Sequence, residues 1–251
     1  MKSFTFLNRK GGTGKTSVSV TCAIELARQG FRTLLIDCDP QGNSSSWLCT
    51  GFKYELADVL MGKAAVSDAI VPTIVENLSA LPTFAINGSL QGYASSTRNY
   101  YAFVDEIFPS LTNFDYVIFD TSPAFGDFEK GIANSADTIV PVLKLDQFSA
   151  DGFQTLIENL ITTTKEIRCK DLLEKISFVI LNQQDKRMKF QSLFAENFMK
   201  NFDDTQFLTI PTDTAFVKAQ ILKRYVQDKA VVARKETLDA ISAIAEEMTK
   251  K

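Results

Sequence analysis

Arg9-Lys10-Gly11-Gly12-Thr13-Gly14-Lys15-Thr16 stands between two strongly patterned segments. Before it, Lys2–Asn8 is apolar and rich in β-favouring residues, the pattern of a buried strand. After it, Thr16–Gln29 sets Val18, Cys22, Ile24, Leu26 and Ala27 on a broad apolar helical face that Gly30 ends. A glycine-rich loop in that position lets the backbone N–H groups of Gly11, Gly12, Thr13 and Gly14 converge on phosphate oxygens. The following helix adds its positive end. Lys15 would reach the β- and γ-phosphates, and the Thr16 hydroxyl would bind Mg²⁺. The run departs slightly from G-x-x-x-x-G-K-[ST], because Asn8 or Arg9 stands where the general pattern often has Gly.

Outward from the loop the same alternation continues. Strands are expected at Arg32–Asp37, Leu78–Leu81, Tyr116–Asp120, Thr138–Leu143, Ile176–Leu181 and Phe207–Ile210. Helices are expected near 55–61, 64–70, 100–108, 149–167, 187–201, 214–224 and 236–249, with 40–51 turn-rich and 84–99 polar and undefined. Several strands are continuously apolar, as in a parallel sheet covered on both faces. The sequence therefore predicts an α/β fold, the three-layer sandwich of a P-loop NTPase, with a mostly parallel sheet and helices on both faces. No linker or repeat divides it, so residues 1–251 are expected to be a single domain.

Composition narrows the chemistry. The chain has 251 residues, 45% hydrophobic and 23% charged, with net charge −3 and no histidine. Without histidine, Ser-His and Cys-His catalysis are excluded, and acid–base work falls to carboxylates, lysine or water. Cys22, Cys38, Cys49 and Cys169 form no C-x-x-C pair, so zinc sites of the usual kind are not expected and the thiols read as free in a reducing compartment. No apolar run reaches eighteen residues, and the expected location is cytoplasmic.

Three carboxylates close strands. Asp120 ends Tyr116-Val-Ile-Phe-Asp120 and could hold Mg²⁺ through water. Asp39 follows the second strand, where a carboxylate could orient attacking water, and Asp37 would point the same way two residues earlier. Phosphoryl transfer to water needs this kind of positioning and charge neutralisation more than covalent chemistry.

Lys10, five positions before Lys15, gives the loop its resemblance to the ParA/MinD family, the signature-lysine P-loop ATPases. That resemblance runs over most of the chain. Leu34-Leu-Ile-Asp37-Cys-Asp39-Pro-Gln-Gly-Asn43 looks like the second-strand motif of ParA-type partition ATPases. Tyr116 to Pro123 resembles their Walker B strand, Ile139-Val-Pro-Val142 and Asp146 to Gly152 the next strand and helix, and Ile210-Pro211-Thr-Asp213 their adenine-packing loop. Two departures are Thr121-Ser122-Pro123, where the family usually has a Pro-Pro pair, and Ser17, usually a second Thr. The resemblance implies ATP and Mg²⁺ as cofactors, water positioning by Asp39 and metal-shell support by Asp37. It further implies adenine contacts from Asn182, Pro211 and Asp213. Lys10 is implied to act in trans, across an ATP-dependent homodimer.

Within the family, the missing cysteines argue against iron-protein or cluster-scaffold relatives, and the lone phosphate loop against arsenite-pump ATPases. A MinD-type membrane helix would be basic and amphipathic. Here the final helix sets Leu238, Ile241, Ile244, Ala245 and Met248 opposite Asp239, Glu246 and Glu247, so core docking is expected and membrane association is not. The phosphate loop starts nine residues in, as in short partition ATPases without an operator-reading domain. Lys218, Lys223, Arg224, Lys229, Arg234 and Lys235 set six cations against Asp228. That clustering suits non-specific phosphate contact, so DNA binding is expected there. A weaker cluster is Lys186, Arg187 and Lys189. The expected function is ATP-dependent, nucleoid-associated partition of a plasmid or chromosome with a ParB-type centromere-binding partner. The alternatives are a MinD-like membrane regulator or a positioner of a protein cargo.

Overall fold

The computed structural model describes residues 1–250 except 87, 145–148, 186–187, 189–192, 194, 197–198 and 201–204. The chain opens with β1 (Lys2–Leu7), α1 (Lys15–Arg28), β2 (Thr33–Cys38) and α2 (Asn43–Leu48). It continues through α3 (Leu56–Leu60), α4 (Val66–Ala69), β3 (Val71–Pro72), β4 (Leu78–Leu81) and α5 (Leu90–Ser96). A π-helical turn at Phe103–Ile107 leads to β5 (Tyr116–Thr121), α6 (Asp127–Ser135), β6 (Thr138–Lys144) and α7 (Ser149–Ile167). Last come β7 (Phe178–Gln184), β8 (Gln206–Pro211), α8 (Ala215–Ile221) and α9 (Lys235–Thr249). The expected helix over 187–201, and the Asp146 end of one motif, fall largely or wholly outside the described residues, as do Lys186, Arg187 and Lys189.

The strands form an eight-stranded sheet in the order β3-β4-β2-β5-β1-β6-β7-β8. All pairings are parallel except the short edge strand β3 on β4. Alternate residues of the central strands feed opposite faces, as the two-residue period of a strand requires. Phe4, Phe6, Leu35, Ile118, Val140 and Val142 meet α1, α8 and α9 on one side. Leu34, Ile36, Cys38, Val117 and Phe119 meet α3, α5 and α6 on the other. Each fully buried Leu or Ile in such a layer adds about 1.5–3 kcal/mol relative to exposure. The apolar stripe of α9 is part of the first layer, with Ile241, Ile244, Ala245 and Met248 buried. The expected core docking of the last helix is what the structure has.

Parallel strands bring their C-terminal ends to one edge, where ligands of open α/β sheets bind. β1 and β5 are neighbours, so the loop after β1 lies beside the end of β5. β2 flanks β5 on the other side, in a register that sets Asp37 opposite Asp120. The topology thus gathers loop 8–16 and all three strand-end carboxylates.

Candidate nucleotide-binding site

The loop's shape is held from below and from the side. Asn8 donates through Nδ2 to the Val142 carbonyl at 2.6 Å and accepts the Lys10 N–H at 2.8 Å. Asn182, buried at the end of β7, donates through Nδ2 to the Thr13 carbonyl at 2.8 Å. Gly14 caps α1 at φ +88°, a left-handed conformation that L side chains rarely adopt. A Cβ there would also collide with the Asn182 amide, so glycine is required twice over. Asn182 therefore braces the phosphate loop, a role the sequence did not disclose.

Lys15 is buried, and burial lowers its pKa while the charges of Asp120 and Asp39 raise it. A desolvated ammonium between two carboxylates is poised to exchange them for phosphate oxygens. Ser19 donates to Asp120 Oδ1 at 2.9 Å, whereas Asp120 Oδ2 is buried without a partner. The Thr16 hydroxyl lies near enough to Asp120 to offset part of the rise in its pKa. An orphaned carboxylate oxygen beside a threonine hydroxyl fits Mg²⁺, which keeps most of its waters and takes few protein ligands. When bound, the ion would neutralise charge between the β- and γ-phosphates, with Thr16 as ligand and Asp120 holding its water.

Asp37 is engaged differently. Its Oδ2 accepts from Ser45 N at 2.8 Å and Ser45 Oγ at 2.6 Å, and its Oδ1 accepts from Asp39 N at 3.2 Å. Ser45 Oγ in turn accepts the Thr83 N–H, and Thr83 Oγ1 donates to the Asp37 carbonyl. Asp37 thus fixes α2 and the backbone of Asp39. Asp39, 7% exposed, accepts the Gln41 N–H at 2.9 Å. It borders a cavity of about 390 Å³ whose lining also includes Ser122, Ala124 and Glu129.

On the other side of the loop a cavity of about 270 Å³ lies against Ser17, Asn182, Pro211, Asp213, Phe216 and Gln220. This brings Asn182, Pro211 and Asp213 together beside the phosphate loop, in a space suited to a planar base. Gln220 donates to Ser17 Oγ at 2.9 Å, tying α8 to α1. Asp213 accepts from Ala215 N, Arg234 N and Thr237 Oγ1, which together hold its carboxyl below the usual range against the opposing effect of burial.

Burial pushes the Asp37 carboxyl up to about 6, against its hydrogen bonds from Ser45. Burial, with the Asp37 charge beside it, pushes Asp120 up to about 7. Both groups hold protons more tightly folded than unfolded. Their effect is therefore stabilising at low pH and is lost as pH rises from about 4 to 7. The chain has no histidine to titrate in that window. The metal-free protein is expected to melt on the order of 5 °C lower at pH 8 than at pH 5.5. Asp120→Asn should flatten the profile in differential scanning calorimetry. A profile unchanged by the substitution would show that Asp120 is not strained by its charge.

The basic segment is less uniform than its sequence suggests. Lys218, Lys223, Arg224, Lys229, Arg234 and Lys235 are all exposed. Arg224 pairs with Asp228 at 2.9 Å and Arg234 with Asp213 at 3.5 Å. Lys223 donates to the carbonyl and hydroxyl of Ser46, and Trp47 Nε1 donates to the Arg224 carbonyl at 2.6 Å. Four aliphatic residues, Val217, Ile221, Leu222 and Val232, lie exposed among these cations.

A family profile described as an AAA domain matches residues 1–175. The chain is 31% identical over 203 residues to the chromosome partitioning protein ParA of Caulobacter vibrioides, spanning 78% of this chain and 75% of that one. It is 29% identical over 217 residues to the sporulation initiation inhibitor protein Soj of Bacillus subtilis, covering 83% of each. Among solved structures it is similar to the ATP complex of Cyanothece McdA, with TM-score 0.82 and 17% identity over 100% of this chain and 97% of that one. The cell division ATPase MinD of Pyrococcus furiosus gives TM-score 0.79 at 22% identity over 98% of each chain. These two are likenesses of fold.

Proposed function

The chain belongs to the ParA/MinD family of P-loop ATPases, and from that membership we propose a Mg²⁺-dependent partition ATPase that dimerises on ATP and binds DNA without sequence preference. The observation that carries the ATPase reading is the convergence of buried Lys15, Thr16 and the orphaned Asp120 oxygen at one loop. Lys15 neutralises the β- and γ-phosphates, Thr16 and Asp120 would hold a Mg²⁺ ion that adds to that neutralisation, and Asp39 orients the attacking water. The cavity beside Pro211 and Asn182 takes adenine. Lys10, on the same loop, crosses to the partner protomer's nucleotide, so the complete site exists in the dimer. A ParB-type protein then stimulates hydrolysis and releases the ATPase from DNA. The cargo is a plasmid or chromosome, and the setting is the cytoplasmic nucleoid. Residues 1–251 act as a single domain.

Non-specific DNA contact falls to Lys218, Lys223, Arg224, Arg234 and Lys235 in this reading. Lys218 and Lys235 are the clean test positions, since reversing Arg234 would also disturb Asp213 and the base cavity. Two weak sets of phosphate contacts act together in a dimer. DNA retardation is therefore expected with ATP and not with ADP, falling steeply as salt rises. Lys218→Glu/Lys235→Glu should weaken retardation at least roughly ten-fold while ATP-dependent dimerisation persists. Lys10→Ala should bind ATP, stay monomeric and lose retardation. Equal retardation with ADP would reject the dimer-gated mechanism.

The exposed Val217, Ile221, Leu222 and Val232 favour a second reading, a positioner of a protein cargo, because phosphate contact has no use for exposed aliphatic side chains. No DNA retardation by the wild type under any nucleotide condition would move the conclusion there.

A further inference from the structure

We propose that Ser122 and Glu129 are positioning residues for ATP hydrolysis, clamping the 122–126 loop that lines one cavity together with Asp39. The inference rests on the reading that Asp39 orients the attacking water.

The loop leaves β5 after Thr121, the residue that follows Asp120, and ends where α6 begins. Its start is pinned to β1, since Thr121 Oγ1 donates to the Phe6 carbonyl at 2.6 Å. Beyond that, Glu129 holds it at two points. Ser122 Oγ donates to Glu129 Oε1 at 2.7 Å, and Gly126 N donates to Glu129 Oε2 at 2.9 Å. Ser122 Oγ also accepts the Ala124 N–H at 3.2 Å, which closes the turn between those points.

Glu129 is only 3% exposed, and no cation among the described residues pairs with it. Burying a carboxylate without a counter-charge is unfavourable unless hydrogen bonds satisfy it. Both of its bonds go to this loop. One of them, to Gly126, also caps the first turn of α6 and accounts for a glutamate there on structural grounds alone. The bond to Ser122 has no such use. It fixes a residue that lines the 390 Å³ cavity together with Asp39, at the end of the neighbouring strand. That volume holds several waters, each of which takes about 30 Å³ in the liquid. Water there is oriented for attack only if the lining keeps its place.

Ser122→Ala separates the clamp from the helix cap, because it leaves the Gly126–Glu129 bond in place. Steady-state ATPase assays should show kcat reduced roughly ten-fold or more, with KM for ATP changed by less than about two-fold. Ser122→Thr, which keeps the hydroxyl, should restore most of the rate. Glu129→Gln cannot accept both bonds and should also lower kcat. The double variant Ser122→Ala/Glu129→Gln should be no slower than the slower single one. A lower melting temperature with unchanged kcat per folded molecule would overturn the proposal, as would Ser122→Thr as slow as Ser122→Ala. Should Ser122→Ala fail to fold, wild-type kcat in Glu129→Gln overturns it. Asp39→Ala run alongside keeps the two ideas apart. Turnover surviving in Asp39→Ala removes the premise, whereas loss there with normal turnover in Ser122→Ala removes the clamp alone.

Discussion

Lys15→Ala should lower ATP turnover on the order of a thousand-fold or more, with nucleotide affinity falling alongside it. Three features set the size of the effect. The ammonium is buried, so its interaction with phosphate oxygens is weakly screened by water. It sits on the first turn of α1, directly after Gly14, where the loop's N–H groups also point. It is the cation that Asp120 and Asp39 act on in the ligand-free protein. Removing it leaves those carboxylates to repel the incoming triphosphate. Phosphate release and binding of a fluorescent ATP analogue measure the two losses. Near-normal turnover would sink the phosphate-loop assignment. Loss of both with an unchanged circular dichroism spectrum would place the effect at the site and not in folding.

The parts of this molecule legible in the sequence are those where local pattern and tertiary role agree. Leu78–Leu81 and the helix over 149–167 stand at the expected bounds, because each is a continuous period with a clear stop. The β1–loop–α1 unit was readable since glycine, lysine and threonine at that spacing serve one chemistry. α2 was not. Asn43-Ser-Ser-Ser-Trp-Leu48 reads as turn, yet it is helical because Ser45 bonds Asp37 and Trp47 packs in the core and bonds the Arg224 carbonyl. Serine runs compete with helical hydrogen bonding until tertiary partners hold them. α6 was missed for a similar reason, since its large apolar anchors, Phe128 and Ile132, stand one turn apart among small and polar residues. The expected helix at 100–108 is a π-helical turn, a distinction that periodicity cannot make over five residues.

Within the candidate site, residue type pointed to Lys15, Thr16, Asp39 and Asp120, and the structure brings them to one sheet edge. The supports around them were hidden because they are ordinary polar residues far apart in sequence. Asn182 reaches Thr13 across 169 positions, and Gln220 reaches Ser17 across 203. No local motif encodes such pairs. They exist because parallel strands deliver distant loops to one sheet edge.

Asp39→Ala should separate binding from chemistry. The carboxylate lines a cavity and, among the described residues, accepts one backbone bond, from Gln41 N, so its loss leaves little buried and unsatisfied. The phosphate loop, Thr16 and Asp120 stay in place, and ATP affinity is expected within about three-fold of wild type. Hydrolysis should fall by a factor on the order of a hundred to ten thousand, the usual contribution of a positioned general base or water-orienting group. On the proposed mechanism ATP holds the dimer and hydrolysis dissolves it, so the variant should accumulate as an ATP-bound dimer in size-exclusion chromatography, and its DNA complex should persist when ATP is present in limited amount. Asp37→Ala is the informative contrast. Asp37 holds Ser45 and the Asp39 backbone through three hydrogen bonds, so removing it leaves buried donors unpaired and loosens α2. That variant should lose stability as well as turnover, whereas Asp39→Ala should melt within a few degrees of wild type. If Asp39→Ala instead loses nucleotide affinity altogether, the carboxylate shapes the pocket and water must be oriented by another group.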